Sequence, residues 1–187
     1  MALKKPEEVK VDTILGLDVS TNSLAWCLYD KNGPVRWGEI KFKGNTVFER
    51  IADGQRKVSA GMKDIKPDLI IFESAVFIQN KKTVVLLAYA FGAIVGALMR
   101  KGVRVVEIPP ITWQNAIGNK AFTKDEKTAF RSMYPDVNEA KFKEILREER
   151  KQRTIRWVKA NHSIEVTNDN VADAIAVAHV GYTLHGR

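Results

Sequence analysis

The chain has 187 residues, of which 45% are hydrophobic and 28% charged; this composition is typical of a folded domain with a substantial core and argues against global disorder. Its 30 Lys and Arg residues against 22 Asp and Glu residues give a formal net charge of +8, which favours a polyanionic partner such as nucleic acid or an anionic membrane surface. The single cysteine, Cys27, excludes an intrachain disulfide and the secreted disulfide-scaffold class, and fits a reducing, cytoplasmic setting.

The N-terminal part of the chain begins with a polar segment and continues as strands. Residues 1–11 have no apolar stretch after their lysines, so we expect a solvated tail rather than a signal peptide, followed by a single domain over residues 12–187. The strand-like runs are residues 13–18, 24–29 and 35–42. Asn32-Gly33 separates the last two runs and predicts a hairpin, because both residues accept positive φ.

The middle of the chain alternates helix and strand patterns. Thr46 and Glu49 have the spacing of a capping box, and apolar residues at helical spacing follow them until Pro67. Two apolar runs that predict buried strands come next, at residues 68–73 and 103–108.

An uncharged segment, residues 83–99, lies between these two strands and contains Gly92-x-x-x-Gly96. It is at the lower limit of membrane-span length. Because the surrounding sequence is amphipathic or charged, we expect a helix buried on most sides and no membrane association.

The C-terminal part of the chain is expected to be mostly helical. A short helix is predicted near residues 111–117, and a last helix over residues 169–184, where small and apolar residues follow one face. Residues 119–148 break the periodicity and are expected to form an inserted charged loop or lid. The order of elements predicts an α/β protein with a mixed five-stranded sheet flanked by helices.

Three acids occur where acids are least expected: Asp18 inside an apolar strand, Glu73 at the end of another, and Asp173 on an Ala-rich helix. A buried ionised carboxylate needs a partner. If the two strands are neighbours and the last helix packs across their ends, the three carboxylates converge on a site for a hard cation. Oxygen ligands favour Mg²⁺, with Mn²⁺ as a substitute, over zinc. The scattered histidines are expected to be structural or solvated: His162, His179 and His185.

Such a site suggests chemistry at phosphorus. Two divalent ions about 3.5–4 Å apart clamp an in-line displacement by activating the attacking water and stabilising the leaving oxygen. An acidic centre on a basic chain fits this chemistry, because the metals neutralise the acids while the surrounding surface attracts a phosphate backbone.

Several segments resemble the RuvC family of Holliday junction resolving endonucleases, within the RNase H-like superfamily. In chain order they are ILGLDVSTNSLAW, PDLIIFESAVFIQNKKTVVLLAYAFGAIVGAL, WQNAIGNKAF with EERKQRTIRWV, and DNVADAIAVA. The first is similar to the family's first strand with its aspartate, and the second to the strand that ends in the catalytic glutamate with the helix after it. The third pair is similar to the flanks of the basic DNA-contacting region, and the last segment to the final aspartate motif. The resemblance covers nearly the whole chain and implies the RuvC-type, RNase H-like fold.

The resemblance also implies an activity. It is that of a Mg²⁺-dependent, homodimeric endodeoxyribonuclease that binds four-way (Holliday) DNA junctions and resolves them by symmetric nicks, leaving 5′-phosphate and 3′-hydroxyl ends, in DNA recombination and repair. Asp18, Glu73 and Asp173 match family metal ligands, with two ions expected per site. The expected setting is the bacterial cytoplasm, for a bacterial protein or a phage protein in its host. We expect the dimer surface on the helix of residues 83–99, since its small residues permit close helix approach.

The fourth ligand position departs from the family pattern. The family usually has an acid, sometimes a histidine, three residues before the last aspartate, where this chain has Asn170 with Asp169 beside it. Three interpretations are open: Asn170 is a neutral oxygen ligand in the catalytic set, Asp169 turns into the metal site, or an acid was replaced to trap a bound substrate. In the last case the protein binds junctions or other branched DNA with weak or no cleavage.

The DNA-contacting residues are less well determined by the pattern. The family's aromatic wedge usually follows the catalytic glutamate by three residues, whereas Phe77 follows Glu73 by four. The insertion of residues 119–148 has no family counterpart that we can place, and it is either a junction-binding arm or a solvated excursion. The candidate DNA contacts, which together predict steep salt dependence, are Phe77, Lys81, Lys82, Lys120, Lys124, Lys151 and Arg153.

Two other classes share parts of the pattern. The stretch GLDVSTNS also resembles the first phosphate loop of sugar kinases and actin-like ATPases, but those proteins need a second related domain that 187 residues do not accommodate. The first strand also resembles the RuvC-like domain of RNA-guided DNA nucleases, which carry large guide-binding regions that this sequence lacks.

Overall fold

The computed structural model describes residues 10–74, 81–99 and 103–186. The predicted tail, apart from its last two residues, lies outside these ranges. The strands are β1 Ile14–Val19, β2 Ser23–Asp30, β3 Gly33–Lys41, β4 Leu69–Glu73 and β5 Arg104–Ile108. The helices are α1 Val47–Gly61, α2 Lys81–Leu98, α3 Pro110–Ala116, α4 Lys124–Met133, α5 Glu139–His162 and α6 Asp169–His185.

The strands form one mixed sheet in the order β3-β2-β1-β4-β5. The first three strands pair antiparallel, whereas β4 runs parallel to both β1 and β5. The mixed five-stranded sheet flanked by helices that the sequence predicts is therefore confirmed. The central position of β1 explains its apolar composition, since Ile14, Leu15 and Leu17 are fully buried.

The hairpin between β2 and β3 forms where Asn32-Gly33 predicts it. Gly33 has φ of +116°, a value that residues with a side chain rarely adopt. The Asn32 amide donates a hydrogen bond of 2.7 Å to the Asp30 side chain, which closes the turn. The hairpin sets the register of β3 against β2, and so determines which β3 side chains share a face with β1.

The two faces of the sheet are covered by different helices. Leu15 and Leu17 pack in one core cluster with Val58 of α1 and Ile94 of α2. Ile14 lies in a cluster on the opposite face, with residues of α3 and α6. Because side chains alternate along a strand, Asp18 lies on the same face as Ile14, beneath α6.

The α1 helix begins as its capping box predicts. The Thr46 side chain accepts a hydrogen bond from the Glu49 amide, while the Glu49 side chain accepts one from the Thr46 amide. This reciprocal pairing satisfies amide groups that the first turn of a helix leaves without partners.

The expectation of a loop or lid at residues 119–148 is wrong, because this segment contains α4 and the first part of α5. No residue of α4 is buried, and its apolar residues, Ala129, Phe130 and Met133, span only about one turn, so the helical pattern is short. Its sequence signal is a second capping box, between Thr123 and Glu126. The Asn138 side chain caps α5 in the same way, by accepting from the Lys141 amide.

The α2 helix buries one side rather than most of its surface, contrary to expectation. Ala90, Ile94, Val95 and Leu98 are buried, whereas the other face is exposed in the described part of the chain. A Cβ atom added at Gly92 or Gly96 would meet nothing within 4 Å. Among the residues that the structure describes, no helix is long and apolar enough to cross a membrane.

Candidate active site

The structure brings Asp18, Glu73 and Asp173 together at one end of the sheet. Asp18 is near the end of β1 and Glu73 is the last residue of β4. In the parallel register of these strands, both residues come directly after the paired residues Leu17 and Phe72. Asp173 lies in the first part of α6, which packs on β1 and β2. The carboxyl ends of neighbouring parallel strands share an edge of the sheet, which is why residues distant in sequence meet here.

The environment of Asp18 disfavours its charged form. Its pKa is raised from an ordinary 3.8 to about 7, mainly by burial and then by repulsion from Glu73, Asp169 and Glu39. The Lys151 ammonium acts in the opposite direction, but it does not offset the other effects. Asp18 is thus a carboxylate held among other carboxylates with incomplete charge compensation.

Asp173 is subject to the same two effects. Burial and the neighbouring Asp18 raise its pKa to about 8, although a hydrogen bond with the Thr154 side chain acts to lower it. Thr154 itself is only 1% exposed, and its hydroxyl accepts a hydrogen bond of 3.0 Å from the Asn119 amide. The Thr154 hydroxyl thus accepts from Asn119 and donates to Asp173, which orients that carboxylate.

Glu73 is held by an aromatic partner. The indole Nε1 of the buried Trp113 donates a hydrogen bond of 2.7 Å to Glu73 Oε2. Burial raises the pKa of Glu73, whereas the Trp113 hydrogen bond and the charge of Arg150 act against that rise. The side chain nevertheless retains solvent-exposed surface, so Glu73 is both oriented and accessible.

Glu39 joins this acidic cluster, although the sequence analysis did not select it. Asp18 pairs with Ala25 of β2, and Ala25 pairs with Glu39 of β3, so the three residues form one row on the same face of the sheet. Glu39 accepts hydrogen bonds from the side chains of Asn168, at 3.0 Å, and Asn170, at 3.4 Å. Counting register outward from the Asn32-Gly33 turn would place Gly38 opposite Ala25, because an irregularity at Leu28 and Tyr29 shifts the pairing by one residue; the sequence therefore carried no direct signal for Glu39.

The residues considered for the fourth ligand position have partners of their own. The Asn170 amide nitrogen donates to Glu39, and Asp169 forms an ion pair of 2.6 Å with Lys151. Asp169 still raises the pKa of both Asp18 and Asp173, so it lies within their electrostatic range. The choice between Asn170 and Asp169 as a ligand stays a prediction.

Thr154 and Trp113 were also missed by sequence reasoning, for different reasons. Thr154 occupies a charged helix where its burial has no local signal, and Trp113 resembles an ordinary core aromatic until its indole is placed beside Glu73. Both side chains hold a carboxylate rather than acting on a ligand directly.

The carboxylates of this site are the type of ligand that binds a hard divalent cation, but their side chains are not arranged around one position. The converging groups are carboxylates, which Mg²⁺ prefers, and burial followed by repulsion between the acids raises the pKa of Asp18 and Asp173. Within the described ranges, however, no three His, Cys, Asp or Glu side chains are already grouped to hold a metal ion. Ion binding therefore requires the carboxylates to adjust.

The predicted DNA contacts divide into three groups. Phe77 and the side chain of Lys81 lie outside the described residues. Lys82, Lys120 and Lys124 are exposed. Lys151 pairs with Asp169, and Arg153 contacts Glu126, Glu149 and the ring of Phe122. The contacts of Arg153 do not favour its role as a phosphate contact, which stays a prediction.

The comparisons with known proteins agree with this architecture. The family model described as "Crossover junction endodeoxyribonuclease RuvC" matches residues 14–134, which is more than half of the chain. A protein of that name from Campylobacter curvus is 28% identical over 121 residues, covering 63% of this chain and 77% of its own length. The corresponding protein from Aliarcobacter butzleri is 29% identical over 118 residues, covering 60% and 77%.

Solved structures show that the fold is shared. The structure described as T. thermophilus RuvC in complex with Holliday junction substrate superposes with a TM-score of 0.66 at 15% identity, covering 94% of this chain and 96% of that one. A second structure of RuvC from Thermus thermophilus has a TM-score of 0.61 at 15% identity, covering 92% and 95%. The predicted RuvC-type fold is therefore confirmed. Together with the family match, this shows that the chain belongs to the RuvC family of crossover junction endodeoxyribonucleases.

Proposed function

We propose that the protein is a Mg²⁺-dependent endodeoxyribonuclease that binds four-way DNA junctions and resolves them by paired, symmetric nicks. The observation that carries this proposal is the convergence of Asp18, Glu73 and Asp173 in a chain of the RuvC family. The two relatives are bacterial proteins, which supports a bacterial setting, and we propose that the protein acts in the cytoplasm.

The acidic residues would hold the metal. Asp18 has Glu73 and Asp169 in its electrostatic surroundings, and Asp173 has Asp18, so we assign the shared ligand role to Asp18 and flanking roles to Glu73 and Asp173. When bound, divalent ions supply Lewis acidity at the phosphate and lower the pKa of a water molecule. Trp113 and Thr154 orient Glu73 and Asp173, so the chain contributes two carboxylates of defined direction.

Electrostatics supports DNA as the substrate. The acidic cluster lies in a chain of net charge +8, and Lys151 and Arg150 are close enough to affect the pKa of Asp18 and Glu73 respectively. A phosphodiester that approaches the acids therefore meets cations at the same site. This arrangement predicts binding that weakens steeply with salt.

A homodimer through α2 would complete the proposed enzyme, because paired nicks need two active sites. The exposed face of α2 presents Gly92 and Gly96 to open space, with Val85, Tyr89 and Met99 exposed at 46%, 52% and 56%. Small residues flanked by large apolar side chains permit close packing against a second copy. Analytical ultracentrifugation at micromolar concentration tests this assembly, and a strictly monomeric protein would contradict it.

A second candidate function is binding of junctions or other branched DNA without efficient cleavage. It is favoured by the contact of Asn170, whose amide nitrogen faces Glu39, because an amide that donates to an acid supplies no charge to a metal site. The Asn170→Asp variant separates the two functions. A large gain in cleavage would identify the present chain as primarily a binding protein, whereas unchanged cleavage would support the nuclease.

The direct test is a cleavage assay on a labelled four-way junction and a matched duplex, each with Mg²⁺ and with chelator. We expect Mg²⁺-dependent nicks at symmetric positions in the junction only, with 5′-phosphate and 3′-hydroxyl ends. The matched control is Asp18→Asn, which should retain junction binding and lose cleavage by orders of magnitude. Equal cutting by this variant would contradict the catalytic assignment.

A further inference from the structure

The outer edge of the sheet carries an open recess that is not part of the acidic site. The edge strand is β3, which pairs with β2 only. The recess has a volume of about 300 Å³ and is lined by Trp26, Val35, Arg36 and Trp37. Among the described residues, no acid of the active site and no cation beside Asp173 lines it.

Two local features of the sequence build this recess. The pairing of β2 with β3 is irregular at Leu28 and Tyr29, which leaves Val35 as an extra residue of β3; such a bulge changes the direction of the side chains beside it. On Gly38 a Cβ atom would lie 3.6 Å from the indole Nε1 of Trp26. The Trp26 ring therefore extends from β2 over Gly38 toward the edge of the sheet.

The apolar groups of the recess are accessible from solvent. Val35 is 48% exposed and Trp37 is 38% exposed. In the part of the chain that the structure describes, Trp37 belongs to none of the three buried clusters. Single exposed apolar residues are common, but adjacent ones at a recess indicate a contact surface.

The surroundings of the recess are positively charged. Arg36, Lys31 and Lys43 are all exposed. Within the described ranges, none of the three takes part in an ion pair. The edge therefore presents aromatic surface among cations that have no compensating charge, which favours a polyanionic partner.

The same edge disfavours two other occupants. Pro34 has no backbone N–H to donate, and a bulge and cationic side chains also oppose the addition of another strand. A second copy of this chain would bring the same cations together. Single-stranded nucleic acid fits both observations, because a base stacks on an indole while its phosphates pair with Arg and Lys.

The recess lies within reach of a DNA strand held at the acidic cluster. Trp37 precedes Glu39 by two residues on β3, and Glu39 belongs to the row that contains Asp18 and Ala25. Two residue steps of about 3.3 Å and two strand spacings of about 4.8 Å separate the Cα atoms of Trp37 and Asp18 by about 12 Å.

We propose that this recess binds an unpaired nucleotide of the DNA strand that the acidic cluster holds, with the base against Trp37 and a phosphate against Arg36. The inference rests on the proposed function for the identity of the strand. The nucleotide is unpaired because a base inside a duplex has no free face for an indole. The edge of the sheet then fixes the position of the strand beyond the active site.

A double-mutant cycle between protein and DNA tests the proposal. The protein is Asp18→Asn, with or without Trp37→Ala, and the DNA is a fluorescein-labelled four-way junction in chelator with one abasic nucleotide at successive positions around the branch point. One abasic position should weaken binding of Asp18→Asn by about 5- to 100-fold and have little effect once Trp37 is replaced. Additive effects at every position would overturn the proposal.

Two further variants separate stacking from a general effect on the protein. Trp37→Phe retains an aromatic ring and should restore most of the coupling to the abasic position. Tyr134→Ala is the matched control, because Tyr134 is 39% exposed, close to the 38% of Trp37, and does not line the recess. Loss of coupling in Trp37→Phe as complete as in Trp37→Ala, or an equal loss in Tyr134→Ala, would contradict stacking on Trp37.

The phosphate contact has its own readout. Arg36→Ala should lower the slope of log Kd against log salt concentration by about one, as expected for one lost phosphate contact. An unchanged slope would refute the role of Arg36.

These binding measurements do not depend on cleavage, so the recess and the nuclease can fail separately. Coupling between Trp37 and one abasic position, with no nicking of junctions by wild-type protein in Mg²⁺, would refute the nuclease and leave the nucleotide site standing. Junction nicking with additive effects throughout would refute the nucleotide site alone.

Discussion

Gly16 of β1 lies directly against Ala178 of α6. A Cβ atom added to Gly16 would lie 2.6 Å from the Cβ of Ala178 and 2.6 Å from the carbonyl oxygen of Ala174, distances that no packed structure accommodates without movement. The missing side chain lets α6 rest on the backbone of β1. Gly16 lies two residues before Asp18, and Ala174 follows Asp173, so this contact sets how closely the two acids approach.

Replacing Gly16 with alanine should therefore destabilise the protein and disturb the acidic cluster. Overpacking of a tight contact costs about 1–3 kcal/mol, and we expect a loss of unfolding free energy in that range, measured by urea denaturation. Cleavage should fall as well, because α6 must move away from β1. Gly61→Ala is the control, since a Cβ there meets only a side-chain atom of Ile40 at 4.0 Å; equal stability of the two variants would contradict the argument.

Asp18→Asn should stabilise the metal-free protein at pH 8 and not at pH 4. The folded-state pKa of Asp18 is raised from 3.8 to about 7, so the folding stability linked to this group is fully present below its unfolded pKa and is lost as the pH rises toward 7. Replacing the carboxyl with an amide removes this pH-dependent loss of unfolding free energy, which is on the order of 1–4 kcal/mol. Denaturation in chelator at both pH values measures it.

The control for that experiment is Asp136→Asn, because Asp136 is exposed between α4 and α5. It should change stability little at either pH. If Asp18→Asn showed no gain at pH 8, the burial and repulsion that raise the pKa of Asp18 would not act as described.

Thr154→Val should weaken catalysis more than it weakens DNA binding. The variant removes the hydroxyl that donates to Asp173 and leaves the Asn119 amide with one partner fewer. Loss of a residue that orients a metal ligand typically costs about 10–100-fold in metal affinity or activity. We expect weaker Mg²⁺ affinity by calorimetry and a lower kcat, with junction Kd nearly unchanged.

Thr154→Ser distinguishes orientation from simple packing. Serine retains the hydroxyl and loses only a methyl group, so it should restore most of the Mg²⁺ affinity. If the serine variant were as defective as the valine variant, Thr154 would contribute only by packing in the core.

Two half-buried histidines should make stability fall as the pH is lowered below neutrality. Burial lowers the pKa of both His162 and His179, and His179 Nδ1 lies 2.8 Å from the Tyr29 hydroxyl. The folded state then binds fewer protons than the unfolded state, so the stability present above the unfolded pKa, about 6.5, is lost as the pH falls through the folded value.

His162→Phe should flatten this pH dependence between about pH 5 and 7 relative to wild type, as measured by urea denaturation. The Asp18 and Asp173 carboxylates change stability in the opposite direction, so the comparison is made between variants rather than on wild type alone. His185→Gln is the control at the end of α6, and an identical slope for both variants would contradict the assignment.

The sequence by itself determined the order of the strands and of the helices other than α4 and α5, the Asn32-Gly33 hairpin and the three acids of the cluster. These features depend on local physics: alternation of apolar residues, positive φ at a turn, capping side chains, and the cost of an acid within an apolar strand. Their consequences are visible along the chain, because each involves residues only a few positions apart.

Only the tertiary structure decided what surrounds those acids. Glu39 joins Asp18 through the register of two strand pairs, Trp113 reaches Glu73 across 40 residues, and Asn119 reaches Thr154 across 35. The helix α4 buries no residue, and α5 buries few of its 24 residues, so the charged sequence of residues 119–148 gave little indication of how these helices pack. Contacts of this kind are set by which surfaces pack together, and a one-dimensional pattern carries little information about packing between distant elements.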